Sequence, residues 1–341
     1  MVKKRAVVRF IDLFAGIGGF RHAIQNAASR CSLPAACVFS SELDQQCQQA
    51  YAANFGEVPA GDITQIPPSA IPDHDVLLAG FPCQPFSIIG NLKGFEDTRG
   101  TLFFDIARIL EAKKPHCFVL ENVKLLVGHN NGATIMRIME TIAELGYHAC
   151  YRVLNALDFG LPQKRERVFI VGFRKPCYFN WPLANVPMIP LSQVLEEDVP
   201  PQYYASDHIR KKRLSKLSPP QELTIWHENK GGNVSAYPFS CALRAGASYN
   251  YLLVNGERRL TPREMLRLQG FPDSHKIVCS ASQTRKQAGN SLPVPVAQAV
   301  IEQVFEATGW AGDDSQQEVD NLVVDGQLRI LEEQEEYGQV T

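Results

Sequence analysis

Short apolar runs alternate with helical periods through the first half of the chain, and a glycine or an acid follows almost every run. Residues 7–11 form the first run, which reads as a buried strand. It leads into Asp12-Leu13-Phe14-Ala15-Gly16-Ile17-Gly18-Gly19-Phe20 and a helical stretch from Arg21. Residues 37–41 predict a second strand ending in Glu42, with a helix over 44–54. Residues 75–79 predict a strand that stops at Gly80, and Leu102–Lys113 a helix. Residues 117–120 predict a strand ending in Glu121-Asn122-Val123, and 133–145 an amphipathic helix. Two further strands, 153–157 and 168–173, flank a basic turn over 160–167, and a last helix is expected over 293–307. Repeated strand–helix units of this kind predict an α/β fold, with a mostly parallel sheet whose ligand crevice lies outside the C-terminal strand ends.

Several polar residues fall at those strand ends. The glycine turn after the first strand allows close backbone approach to a ligand. Its spacing is not that of a pyrophosphate fingerprint, because Arg21 stands where the third glycine would be. Glu42 suits ribose hydroxyls, since a carboxylate accepts two hydrogen bonds. Asp62, in Gly61-Asp62-Ile63-Thr64, is placed to take an adenine amino group. Each acid alone is better explained as a helix cap or turn residue; three strand ends in succession favour a cofactor site. Next comes Gly80-Phe81-Pro82-Cys83-Gln84-Pro85-Phe86-Ser87, which presents one cysteine between two prolines that stiffen the backbone. A free cysteine is usually a small buried hydrophobe. Here a carboxylate at Glu121 is aimed toward the same crevice if the two strands are neighbours. Residues 88–100 lack a clear period and read as a mobile loop, of the length that often serves as a lid or binding loop. The guanidinium forks of Arg165 and Arg167 could bind a phosphate or a base carbonyl.

Charge adds a division that the net value of −2 hides. Residues 313–341 carry nine Asp/Glu and one Arg, so the remaining 312 residues hold a surplus of six positive charges. A basic body with an acidic tail suits a polyanionic partner for the body. The tail contains an Asp-Gly turn between apolar runs and is expected to be an accessory or disordered appendage. Nine cysteines with no CxxC pair argue against a disulfide framework and against a zinc site. No signal peptide is evident and no run approaches membrane-spanning length, so a cytoplasmic, nucleoid-associated protein is expected. Between about 175 and 256 the pattern changes: prolines and aromatics become frequent, strand–helix alternation stops, and Arg210-Lys211-Lys212-Arg213 appears.

The ordered set DLFAGIGGF, SELD, GDIT, GFPCQPFS, ENV and QKRERV resembles the DNA (cytosine-5)-methyltransferase family, in its short single-chain bacterial form. Arg259-Leu260-Thr261-Pro262-Arg263-Glu264, Gln269-Gly270-Phe271-Pro272 and Gln287-Ala288-Gly289-Asn290-Ser291-Leu292-Pro293 extend the match across most of residues 7–310. The resemblance implies a Rossmann-like, S-adenosylmethionine-dependent catalytic domain over 1–180 and 286–312. It implies a smaller, irregular or β-rich target-recognition domain over 181–285, with 313–341 as the appendage. Cys83 would attack cytosine C6, Glu121 would hydrogen-bond or protonate N3, Arg165 would hold O2, and Arg167 would support the loop or Glu121. Phe14 would stack on adenine, with Gly16 and Gly18 in the turn, Glu42 on the ribose and Leu43 against the adenine. Asp62 and Ile63 would meet the adenine edge, Gly80 and Pro82 would line the site, and Asn290 and Ser291 would close the methionine end. Gln84, Ser87, Asn233 and Arg244 would face DNA. The common Thr-Leu dipeptide is replaced by Ala242-Leu243. No metal is implied. The partners expected are double-stranded DNA and a restriction endonuclease paired in function but not bound, with the chain itself a monomer.

Other readings compete with this one. A branch of the same family acts on tRNA with the same motifs. A catalytically silent cofactor-binding protein is disfavoured because Cys83, Glu121 and Arg165 are all present. A nicotinamide-dependent oxidoreductase is disfavoured by the missing third glycine.

Overall fold

The computed structural model describes residues 7–82, 102–218 and 222–311. Cys83, Gln84 and Ser87, the loop 88–100 and the acidic tail with its hairpin signal lie outside the described residues.

The strand–helix units expected from the sequence are present with shifted ends. They are β1 (Val8–Leu13), α1 (Gly19–Arg30), β2 (Ala35–Ser41), α2 (Gln45–Phe55), β3 (Val76–Gly80), α3 (Leu102–Lys113) and β4 (Cys117–Val123). After them come α4 (Leu125–Gly128), α5 (Ala133–Glu144), β5 (His148–Asn155), β6 (Gln163–Lys164) and β7 (Glu166–Phe173). Six strands form one sheet in the order β2-β1-β3-β4-β7-β5. β1 to β4 are parallel neighbours, while β7 runs antiparallel to both β4 and β5. A largely parallel sheet needs cover on both faces. Along β3, Val76 and Leu78 enter one apolar cluster, and Leu77 and Ala79 enter the other. The first cluster includes Ala23 and Ala27 of α1 and Val300 and Val304 of the long last helix, α9 (Val294–Ala307, numbered after the helices introduced below), and these two helices pack on each other. Burying each branched side chain contributes about 1.5–3 kcal/mol. The second cluster carries Ile106 and Leu110 of α3 and Ile138 and Ile142 of α5.

Two expected boundaries change. Glu121 is not beyond its strand but inside β4, because the ladder to β7 continues to Val123. The strand expected over 153–157 starts earlier, at His148, and ends at Asn155, whose side chain caps a short 3-10 turn.

The rest of the chain builds a separate three-stranded antiparallel sheet from β8 (Ile225–Glu228), β9 (Val234–Tyr237) and β11 (Leu252–Val254), preceded by α6 (Asp207–Leu214). β10 (Ser240–Cys241) leaves this sheet and pairs with β6. α7 (Pro262–Leu268) is set by a capping box between Thr261 and Glu264 with proline in its first turn. The buried Glu264 also takes both arms of Arg258, at 2.8 and 2.9 Å. The sequence Leu-Thr-Pro-Arg-Glu is therefore accounted for by helix initiation. α8 (Ala281–Asn290) has no counterpart in the sequence reading and runs through the boundary expected at 285.

Candidate active site

The C-terminal ends of the parallel strands bring the candidate residues to one edge. Leu13 is in register with both Ser41 and Ala79, and Gly80 with Glu121. Phe14, Glu42, Gly80 and Glu121 therefore stand at successive strand ends along the same sheet edge.

Around the first two ends the backbone is shaped for a polar ligand. Phe14 has φ 54 and Gly16 φ 56, so the chain turns sharply out of β1. The Glu42 carboxylate ties this turn to the next unit, accepting from Gly16 N at 2.7 Å through Oε2 and from Asp44 N at 2.8 Å through Oε1. Each carboxylate oxygen keeps a lone pair for a hydroxyl donor. A Cβ on Gly16 would meet only Phe14 O, at 4.0 Å. Gly18 has a different reason for being glycine: φ is 88, and a Cβ there would lie 2.2 Å from the Phe55 ring. Leu43 is 69% exposed beside Glu42, an apolar surface at the strand end. The backbone of Ala60 bonds Ser40 and Glu42, which brings Asp62 alongside. Asp62 caps its own 3-10 turn, with Oδ1 accepting from Thr64 N at 3.0 Å and Thr64 Oγ1 at 2.8 Å. Ile63 is buried behind it. Ser291 comes from the far end of the chain, with its Oγ 3.0 Å from where a Cβ on Gly19 would be; Asn290 is exposed next to it. An open glycine turn, a bridging carboxylate and a hydroxyl at the start of α1 fit a nucleoside with a charged amino-acid tail.

At the second pair of ends, Glu121 is 8% exposed. Its Oε1 accepts from Arg167 Nε at 2.9 Å. Its Oε2 lies 3.5 Å from where a Cβ on Gly80 would stand, so it faces the end of β3. Register explains the ion pair: Val123 opposes Arg167 and Glu121 opposes Phe169, so Glu121 and Arg167 are diagonal neighbours on one face. Burial pushes the Glu121 carboxyl above its ordinary range, against the opposing pull of Arg167 and then Arg165.

Arg165, expected to hold the base carbonyl, is committed to the backbone. It is 1% exposed, in the break between β6 and β7, and its guanidinium donates to backbone carbonyls. Nη1 reaches Leu243 O at 2.9 Å, while Nη2 reaches Gly289 O at 3.0 Å and Ser291 O at 2.5 Å. Both terminal nitrogens are thus taken by carbonyls, Nε is buried with no partner among the described residues, and it is Arg167 that pairs with Glu121. Two residues left without a role by the sequence reading hold this region together. Asn122 donates to Phe81 O at 2.9 Å and accepts from Val123 N at 2.8 Å, fixing the chain just before Pro82. Gln163 is fully buried; it donates to Leu268 O at 2.7 Å and accepts from Leu243 N at 2.9 Å. Both lie in motifs visible in the sequence, but the partners they select are distant in the chain. Gly289 is equally constrained, since a Cβ there would lie 2.4 Å from Ala245 N.

Asn233 is exposed at the turn between β8 and β9, where its N–H donates to Asn229 Oδ1 at 3.0 Å. Arg244 is exposed one residue beyond the Leu243 contact. Among the described residues no group of three or more His, Cys, Asp or Glu could hold a metal ion, and no helix is long and apolar enough to cross a membrane.

Comparison with known proteins gives the family. The C-5 cytosine-specific DNA methylase family matches residues 8–306. Type II methyltransferase M.NgoBI of Neisseria gonorrhoeae is 58% identical over 294 residues, covering 85% of this chain and 90% of the relative. Type II methyltransferase M.HaeII of Haemophilus aegyptius is 55% identical over 304 residues, covering 88% and 94%. The crystal structure of the S. pombe Dnmt2 methyltransferase shares the fold, with TM-score 0.67 at 21% identity over 88% of this chain and 98% of that one. From its motifs and these matches, the chain belongs to the C-5 cytosine-specific DNA methylases and is a DNA (cytosine-5)-methyltransferase.

Proposed function

We propose that the protein methylates C5 of a flipped-out cytosine within a short, specific double-stranded DNA sequence, through a covalent bond between Cys83 and C6. The observation that carries this reading is the buried Glu121–Arg167 pair, in register with Gly80, on the strand that leads through Pro82 to Cys83. Cytosine C5 is too weak a nucleophile to take a methyl group unaided. Addition of the Cys83 thiolate to C6 pushes electron density onto C5 and N3. Glu121 donates a proton to N3 as that charge arrives, and Arg167 steadies the carboxylate it leaves. Arg167 takes the base carbonyl in place of Arg165; its ion pair with Glu121 and the carbonyls already bonded to both terminal nitrogens of Arg165 support that exchange. Phe14, Glu42, Leu43, Asp62, Ile63 and Ser291 would hold S-adenosylmethionine, which would supply an electrophilic methyl group to C5 and leave as S-adenosylhomocysteine. A base then removes the C5 proton, the C5–C6 double bond re-forms, Cys83 leaves as thiolate, and Glu121 recovers its proton from N3.

None of these atoms is reachable inside a stacked duplex, so the target base must be extruded. Gln84 and Ser87 would border the extruded base. The stretch 181–285 would choose the sequence, with Asn233 and Arg244 toward DNA, and the acidic tail would be repelled by phosphates. The relatives are named Type II methyltransferases, which supports a paired restriction endonuclease. The reading on tRNA is not favoured, because the family matched over residues 8–306 is one of DNA methylases. With labelled cofactor, label is expected in duplex DNA as 5-methylcytosine and not in tRNA; label in tRNA alone would overturn the assignment.

A further inference from the structure

A cavity of about 300 Å³ lies between the loop after β10, helix α7 and the start of α8. Its wall carries three arginines, Arg244, Arg259 and Arg285, together with Tyr249 and Tyr251, and no carboxylate among the described residues lines it. Three other arginines of this region are neutralised: Arg258 pairs with Glu264, Arg267 with Asp273 and Arg213 with Glu228. The three in the cavity pair with no carboxylate among the described residues. Arg259 donates to the carbonyls of Gln202 and Tyr203, and Arg285 to those of Ala247 and Ser248. Carbonyls satisfy N–H groups but cancel no charge. Arg285 also lies 4.5 Å from the Tyr249 ring centroid, and Arg244 lies 4.9 Å from that of Tyr251. Tyr249 is 53% exposed, so the charged ledge is open to a large partner.

We propose that this cavity binds a backbone phosphate of the DNA duplex, outside the base pairs that are read. Three uncompensated guanidinium groups favour an anion, and the fork geometry of arginine suits phosphate. Position selects DNA as its source. Leu243 lines the cavity, and its carbonyl is the one held by Arg165, so the cavity shares a wall with the catalytic strand ends. The inference rests on the proposed action on DNA. Its contact is sequence-independent and adds to affinity without adding to discrimination.

Salt dependence tests it, because each phosphate contact adds about 0.9 to the slope of log K against log[salt]. Binding of a mixed-sequence duplex is measured for the full chain and for Arg285→Gln, Arg285→Lys and Arg244→Gln. The expected result is a slope shallower by about one in both glutamine variants and unchanged in Arg285→Lys, which keeps the charge but cannot bridge the loop carbonyls. Slopes unchanged in the glutamine variants would overturn the proposal. So would a slope lost equally in Arg285→Lys, since that marks a tether for the loop. If Arg285→Gln does not fold, Arg244→Gln carries the test, as its guanidinium makes no hydrogen bond among the described residues. Inorganic phosphate at matched ionic strength is the control: saturable thermal stabilisation by phosphate, with the DNA slopes unaltered, would assign the site to a free anion instead. Methylation of the same duplex by the unaltered protein reports separately on the proposed function.

Discussion

Cys83→Ser is expected to lower methyl transfer by on the order of 10⁴–10⁶-fold, the scale on which loss of a covalent nucleophile is felt. A serine hydroxyl ionises far above the range of a thiol and cannot add to C6 at neutral pH. Cofactor affinity should stay within about twofold, because Phe14, Glu42 and Ser291 are supplied by other strand ends and by the far end of the chain. Five of the other thiols are poor substitutes. Burial pushes Cys37 and Cys47 up to about 12 and Cys177 up to about 11, and it raises Cys117 and Cys241 as well. These groups remain protonated where the enzyme works. Single-turnover transfer to a methylatable duplex, beside a cofactor titration, reads both quantities; turnover retained by the serine variant removes Cys83 from the mechanism.

Glu121→Gln is the second large effect, with an expected rate loss of about 10²–10⁴-fold and little change in DNA affinity. Glutamine keeps the shape and can hydrogen-bond, but it has no proton to give to N3. The pH profile carries the sign. Burial raises the Glu121 carboxyl, so the protonated donor persists to higher pH than for an exposed glutamate. Activity limited by this acid falls as pH rises through that raised value, and the glutamine variant should lack the alkaline limb. Since Arg167 pulls in the opposite direction, Arg167→Met should move that limb to still higher pH. DNA binding lost along with rate would mark Glu121 as a structural group instead.

Much of this arrangement was legible in the sequence, for a physical reason. A parallel sheet sends every C-terminal strand end to one edge, so acids after apolar runs converge whatever lies between them. Glu42 and Glu121 were located that way, and the Gly80–Glu121 register supplies the adjacency that the sequence left conditional. The choice between Arg165 and Arg167 was not legible. Residues two apart share a face of a strand, so alternation cannot separate them. What separates them is that Arg165 sits just before β7 and meets carbonyls of Leu243, Gly289 and Ser291, more than seventy residues away. α8 went unseen because its buried face is Thr284, Gln287, Ala288 and Gly289, small or polar groups that leave no apolar period. Gly289 has to be small because the backbone at Ala245 packs directly on it.

The central claim is that methyl transfer passes through a bond between Cys83 and C6. A methylatable duplex carrying 5-fluorocytosine at the target position tests it most directly, because fluorine at C5 leaves no proton to remove and the thiolate cannot depart. With S-adenosylmethionine present, the account predicts a denaturant-stable protein–DNA adduct whose modified peptide contains Cys83, and no adduct from Cys83→Ser. A protein that methylates the unfluorinated duplex yet forms no adduct, or whose adduct maps to another residue, would contradict it.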